Sequence, residues 1–337
     1  ITAPTALSLT EADSTQSGTL TVSFTDADWA DTSYTVSINA VRISGNYIGL
    51  QLDSDALKNK LTFQSLNKSN TSSTGHFTLG YSYAPSDFDY LAAGQILNLS
   101  YDLSLNDDHG GTASQSVVVN ITGTNDVPVI AAVTPVGFTE SNSTQSGALT
   151  VSFTDADWAD TGYSASITGV STSGVTAGLM SADALKSKIT LGSMVKSAGG
   201  SAGSLPLSYG YAASDFDYLA QGESVALTYT LAVADSHGGT GTQSVVVNIT
   251  GTNDAPVVTG TLSSAIAEDG AVSTLSALTN ARDVDHGTTL SVTNLPASLP
   301  AGVSYDAANQ AFSLDPSHSA YQYLAAGETT AVTVNYA

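Results

Sequence analysis

The sequence predicts an all-β chain of tandem antiparallel β-sandwiches with Greek-key connections. Three observations carry that expectation. Residues Thr21–Thr32 (TVSFTDADWADT) return letter for letter at Thr150–Thr161. Short runs bounded by turn residues alternate apolar and polar side chains with the period of two that a half-buried strand requires. Thr, Ser, Val and Tyr are well represented while Lys, Arg and Glu are scarce, a composition suited to strands rather than helices.

In the first repeat the alternation predicts strands over 19–25, 33–41, 76–83, 96–105 and 113–122. Leu97, Leu99, Tyr101, Leu103 and Leu105 share one face, as do Val117, Val119 and Ile121. Strands without alternating helices make a sandwich. The turn Asp108-His-Gly-Gly111 has glycines to supply positive φ in a hairpin. Residues 54–60 and 181–188 each predict a short helix. The polar stretches 67–75 and 197–204 that follow predict mobile surface loops.

Further landmarks recur at about 128 residues: QSVVVNITGTND at 115–126 and 243–254, DFDYLA at 87–92 and 215–220, HGGT at 109–112 and 237–240. A fixed period of near-copies marks an array whose units meet their neighbours. The repeats are placed at 1–126, 127–254 and 255–337. The third is shorter, lacking 23 residues between Asp283 and Tyr323 that the second has between Asp155 and Tyr218, including the helix. It stops before any His-Gly-Gly turn, which would leave a sandwich with an exposed edge. The chain is expected to be a fragment whose natural sequence continues.

The net charge of −22 argues against nucleic acid and anionic membranes as partners. At 42% apolar residues the chain has enough for packed cores. There is no cysteine, so disulfides do not staple it. No apolar run reaches the 18 residues of a membrane span, and no signal peptide opens the sequence.

At the end of the first copied strand, Asp26, Asp28 and Asp31 fall within six residues. Carboxylates this dense repel one another unless a cation sits among them. Arg282-Asp283-Val-Asp285 is a degenerate third copy. All candidate ligands are oxygens, which favours Ca²⁺ as the cofactor, since it takes six to eight oxygens in flexible geometry. Mg²⁺, with strict octahedral geometry and tightly held waters, suits such a cage less well.

The segment 103–122, the closing Gly-Thr-Asn-Asp-Val-Pro128 and Gly-Thr-Asn-Asp-Ala-Pro256, and Tyr90-Leu-Ala-Ala-Gly94 with Tyr323-Leu-Ala-Ala-Gly-Glu328 resemble the VCBS-type repeats of bacterial RTX-type surface adhesins. The resemblance implies cadherin-like or immunoglobulin-like modules, type I secretion and an extracellular, cell-surface location. No Gly-Gly-x-Gly-x-Asp nonapeptide is present. Similarity to cadherins implies metal ligands shared across each joint. Between repeats one and two these would be Glu11, Asp87, Asp89, Asn125, Asp126, Asp155, Asp157 and Asp235. At the next joint they would be Glu140, Asp215, Asp217, Asn253, Asp254, Asp283 and Asp285. Asp26, Asp28 and Asp107 would face a preceding repeat, and Ala320 and Gln322 stand where the third repeat's acid pair belongs.

The implied function is a calcium-rigidified extender of a large adhesin, in cell adhesion or biofilm. It would be non-enzymatic and monomeric, with neighbouring repeats, and surface glycans or host and biofilm polymers, as partners. Alternatives are a lectin-like module using the variable loops, or the spacer of an extracellular hydrolase. Plainer roles also stand: Asp-Ala-Asp as a strand terminator, Asn125-Asp126-Val-Pro128 as a stiff linker, Asp87 and Asp89 as caps of a helical turn. Trp29 and Trp158 are each expected to pack on their own sandwich end and shield the joint. His109 and His237 beside Ser and Asp suggest a hydrolase, but duplication in each unit argues for turns.

Overall fold

The computed structural model describes residues 1–337. In the first repeat, Leu7–Thr10 (β1), Gln16–Thr25 (β2), Tyr34–Gly45 (β3), Leu61–Lys68 (β4), Thr74–Tyr83 (β5), Ile96–Asp107 (β6) and Thr112–Thr122 (β7) form two sheets, ordered β1-β7-β6-β3 and β2-β5-β4. Helix α1 (Ser54–Lys58) joins β3 to β4. The second repeat has Val129–Ile130 (β8), Val136–Thr139 (β9), Gln145–Thr154 (β10), Ser164–Gly174 (β11), Ile189–Leu191 (β12), Val195–Lys196 (β13), Ala202–Tyr211 (β14), Ser224–Ala234 (β15) and Thr240–Thr250 (β16). Its sheets are β9-β16-β15-β11 and β8-β10-β14-β12, with β13 also on β14, and α2 (Ala182–Ser187) occupies the place of α1. The chain is all-β with two short helices, as the alternation and composition predict.

The ladders are antiparallel except β1 on β7 and β9 on β16. Neither of these four-residue strands was among the expected ones. Each offers a single alternating pair, Leu7 with Leu9 or Val136 with Phe138, too short for a period to register. The polar stretch 67–75 is shorter as a loop than expected: β4 takes Asn67 and Lys68, β5 begins at Thr74, and 69–73 connect them. In the second repeat β14 likewise begins at Ala202.

The alternating faces close two cores. Val22, Phe24, Phe77, Leu79, Tyr101, Val119 and Ile121 are buried in the first, which draws on residues 20–121; the second draws on residues 130–249. Each such side chain contributes about 1.5–3 kcal/mol on leaving water. The helices act as plugs. Asp53 accepts from Ala56 N–H at 2.8 Å and Ser181 from Ala184 N–H at 3.3 Å, capping orphan donors. Leu57 and Leu185 then point inward, and the Tyr101 and Tyr229 hydroxyls donate to their carbonyls at 3.0 and 3.2 Å. The His-Gly-Gly turns need both glycines. Gly110 and Gly238 have φ of 95° and 100°. A Cβ on Gly111 or Gly239 would lie 2.2 Å from the Asp107 or Asp235 carboxylate.

Residues 255–337 carry Val257–Val258 (β17), Ser273–Ser276 (β18), Ala281–Arg282 (β19), Val303–Asp306 (β20) and Ala311–Leu314 (β21), in sheets β17-β19 and β18-β21-β20. Their buried apolar residues are Ala277 and Ala311, so little apolar surface leaves water here. Leu185→Ala is expected to destabilise the second core by about 2–5 kcal/mol, read as a lower denaturant midpoint for that transition. A loss below about 0.5 kcal/mol would contradict the plug role.

Candidate metal centre

The copied loop after β10 is folded by its own aspartates. Asp155 Oδ1 accepts from Asp157 N–H at 2.9 Å, and Asp26 and Asp283 make the same bond at the same distance to Asp28 and Asp285. Tyr163 donates its hydroxyl to Asp155 Oδ2 at 2.9 Å, as Tyr34 does to Asp26. This Asx turn aims Asp157 at the linker, where its Oδ2 accepts from Asp126 N–H at 2.9 Å. At the second joint Asp285 Oδ2 accepts from Asp254 N–H at 3.0 Å. Each linker is also held by two residues of ladder, β8 on β10 and β17 on β19.

Asn125 donates to Asp235 Oδ2 at 3.1 Å and to Asp126 O at 3.0 Å. Asp235 Oδ1 meanwhile takes the His237 and Gly239 N–H groups of the turn at 2.8 and 2.9 Å. Glu11 accepts from Thr124 N–H at 3.3 Å and from its hydroxyl, tying the first strand to the linker. Glu140 accepts from the Thr252 hydroxyl at 2.6 Å. Gly241 replaces the Ala113 of the first repeat where the linker passes, since a Cβ there would meet Pro128 O at 1.8 Å.

Nine buried side-chain polar atoms have no hydrogen-bond partner, and seven are oxygens at the two joints. They are Asn125 Oδ1, Asp126 Oδ2 and Asp157 Oδ1 at the first, and Glu140 Oε1, Asp217 Oδ1, Asp254 Oδ2 and Asp285 Oδ1 at the second. Asp157 is 0% exposed, Glu140 3% and Asp285 7%. Carboxylate oxygens of Glu140, Asp217 and Asp254 lie within 4.8 Å of one another. At that distance each like-charged pair repels by about 3 kcal/mol at an effective dielectric near 20.

Burial, then Glu11, Asp89, Asp13 and Asp155, pushes Asp126 up to about 7. Burial outweighs the Asp126 N–H bond and, with Asp126, Asp155 and Asp160, pushes Asp157 up to about 8. Asp89, Asp155, Asp217 and Asp254 are raised, each chiefly by burial. Asp26, identical in local sequence to Asp155 but uncovered, is lowered by the Asp28 N–H and Tyr34 hydroxyl.

Asp87 and Asp215 are engaged elsewhere. Their Oδ2 atoms accept from Ala84 and Ala212 N–H at 2.7 and 2.8 Å and pair with Lys60 and Lys188, the capping role. Asn253 is exposed and donates to Asp254 O at 2.8 Å. Asp28 is exposed, Asp26 half-buried, and Asp107 Oδ1 accepts from His109 and Gly111 N–H at 2.9 and 2.7 Å. Asp283 is half-buried.

The tryptophans differ from expectation. Trp158 packs against the core of the first repeat, and Trp29 is 57% exposed. The loop carries the Trp158 indole onto the neighbouring module rather than its own sandwich, and leaves that of Trp29 in solvent. The buried Asp160, with Asp235 and His237, joins the first cluster unanticipated. Tyr163 and Lys196 were missed too, although Tyr34 and Lys68 precede them by close to the repeat spacing. Ser236 Oγ and Asp160 Oδ2 both reach His237 Nδ1, at 3.5 and 3.0 Å. A serine relay needs one on each ring nitrogen, so this trio does not form one.

No family profile and no curated protein matches the sequence. Similar solved structures include human CDH23 EC21-23 (12% identity, 93% of this chain and 90% of that one, TM-score 0.41). Others are Protocadherin Gamma B7 extracellular cadherin domains 1-4 (15%, 93% and 67%, TM-score 0.39) and CfaE, the adhesive subunit of CFA/I fimbria of enterotoxigenic Escherichia coli (10%, 71% and 80%, TM-score 0.28).

Because the folded values of Asp126 and Asp157 lie above the unfolded one, their favourable contribution is complete below about pH 4 and is lost as pH rises through 7 to 8. Metal-free protein is therefore expected to melt several degrees lower at pH 8.5 than at pH 5.5, with Asp157→Asn flattening the difference. A wild-type melting temperature that rises over this range would contradict the burial of these carboxylates.

Proposed function

We propose that the chain is a calcium-braced spacer of an extracellular adhesion protein, with modules at 1–126, 127–254 and 255–337 held in line by shared cations. One observation carries this reading: the unpartnered buried oxygens gather at the joints and nowhere else in such number. Unpaired buried charge is costly, and a set of carboxylate and amide oxygens without sulfur fits a hard divalent cation. Bound there, Ca²⁺ would supply the positive charge that lets the acids ionise together.

The chain's own residues do the rest. At the first joint Asn125 Oδ1, Asp126 Oδ2 and Asp157 Oδ1 would ligate, with Asp155, Asp160 and Asp235 supplying further charge and Glu11 and Asp89 behind the linker. At the second, Glu140, Asp217, Asp254 and Asp285 would ligate and Asp283 would shape the loop. Trp158 against the first core excludes water from one side. Extracellular calcium modules bind at about 10⁻⁴ to 10⁻³ M. At ten times Kd each site would stabilise its joint by about 1.4 kcal/mol. Location on a bacterial surface, export by type I secretion and a biofilm role follow from the VCBS-type resemblance.

Small-angle scattering at 2 mM calcium against chelator is expected to show a longer maximum dimension with calcium, and melting is expected to shift upward by several degrees. Asp155→Ala with Asp157→Ala should abolish the part of both changes that belongs to the first joint. Identical profiles with and without calcium would overturn the reading.

A further inference from the structure

Four of the six lysines, Lys58, Lys60, Lys186 and Lys188, are ion-paired with carboxylates. Lys68 and Lys196 are not, although each lies beside an aspartate-rich loop. Lys196, at the end of β13, donates through Nζ to the carbonyl oxygens of Asp157 at 2.8 Å and Asp160 at 3.0 Å. Its ammonium also stands 5.7 Å from the centre of the Tyr163 ring, whose hydroxyl holds Asp155. Lys68 repeats this with the carbonyls of Asp28, Trp29 and Asp31 at 3.2, 3.3 and 2.7 Å, and with Tyr34 at 5.8 Å. The two lysines sit in otherwise divergent segments, Asn67-Lys-Ser-Asn70 and Val195-Lys-Ser-Ala198.

Resting on the calcium reading above, we infer that Lys196 is the positioning residue of the first joint, an internal cation that braces the Asp155–Asp160 loop from behind. By taking main-chain carbonyls it leaves the Asp157 carboxylate free of any lysine and turned to the linker. It also removes Asp157 O and Asp160 O from the set a metal can use, so the ion draws on side-chain oxygens. A positive charge close to three aspartates lowers the cost of assembling them before any ion arrives. The amphipathic stem and aromatic face fix the ammonium in place.

The third copy of the loop, Arg282-Asp-Val-Asp-His286, has no such lysine and is held differently. His286 N–H donates to Tyr218 O at 2.8 Å and its Nδ1 lies 3.1 Å from Glu223 Oε1. The brace therefore belongs to the first joint and to the uncovered loop of the first repeat, where Lys68 faces no joint within this chain.

The test uses the full chain titrated with calcium, followed by Trp158 fluorescence in a Trp29→Phe background, with melting recorded with and without calcium. Lys196→Met is expected to raise the calcium Kd at the first joint at least tenfold and to shrink the calcium-induced rise in melting temperature. Lys196→Arg, which keeps charge and donors, should recover Kd to within about threefold. Lys68→Met should leave the titration unchanged. A wild-type Kd in Lys196→Met, or an equal effect from Lys68→Met, overturns the inference while the calcium reading stands. If Lys196→Met does not fold, a Lys196→Arg variant with the wild-type Kd supports the brace, and one weakened tenfold or more overturns it. A wild-type chain with no calcium response sinks the calcium reading and this inference with it.

Discussion

The joints are governed by one constraint: carboxylates from adjoining modules are buried together with fewer donors than they need. Asp126, Asp157 and Asp235 meet around Asn125; backbone N–H groups satisfy one oxygen of Asp157 and one of Asp235, while Asp126 Oδ2 and Asp157 Oδ1 stay bare. A hydrophobic joint would align the modules without charge, and a fully hydrogen-bonded one would need no ion. This arrangement does neither, so its energy depends on what positive charge is at hand. Protons, lysine ammonium and a divalent cation are the available sources, and they act at different oxygens.

The same twelve residues in two settings show how far burial decides the chemistry. Asp155 and Asp26 make the same bonds within their loops, yet one lies under a neighbouring module and is raised while the other is uncovered and lowered. Trp158 and Trp29 divide in the same way. Local sequence builds the loop, and the module in front of it buries the loop's carboxylates. The second joint reaches a similar cluster from a degenerate loop, using His286 and the Glu140–Asp217–Asp254 group.

Period-two alternation in long strands such as β6 and β7 was legible because each residue reports one face. β1 and β9 were not, since four residues carry too little pattern. The Asp-x-Asp and Asn-Asp landmarks pointed to the joint because copying preserved them at fixed spacing. The cap role of Asp87 stood in the sequence as an alternative, since its bond to Ala84 N–H is local, but the pairing of Asp87 with Lys60 and of Asp215 with Lys188 joins residues far apart in sequence and offers no local signal. Lys196 hid for a different reason: its surroundings diverge between repeats, and it lies just before the polar stretch 197–204 whereas Lys68 falls inside 67–75, so the shared lysine did not stand out. The direction of Trp158 follows from the packing of two modules, which alternation within one cannot reveal.

The most direct measurement is a high-resolution crystal structure of the chain grown with calcium, with anomalous differences calculated over the first joint. The account predicts a peak coordinated by Asn125 Oδ1, Asp126 Oδ2 and Asp157 Oδ1 at about 2.3–2.6 Å, with Lys196 still on its two carbonyls. Ordered water alone between those oxygens, in crystals saturated with calcium, would contradict it.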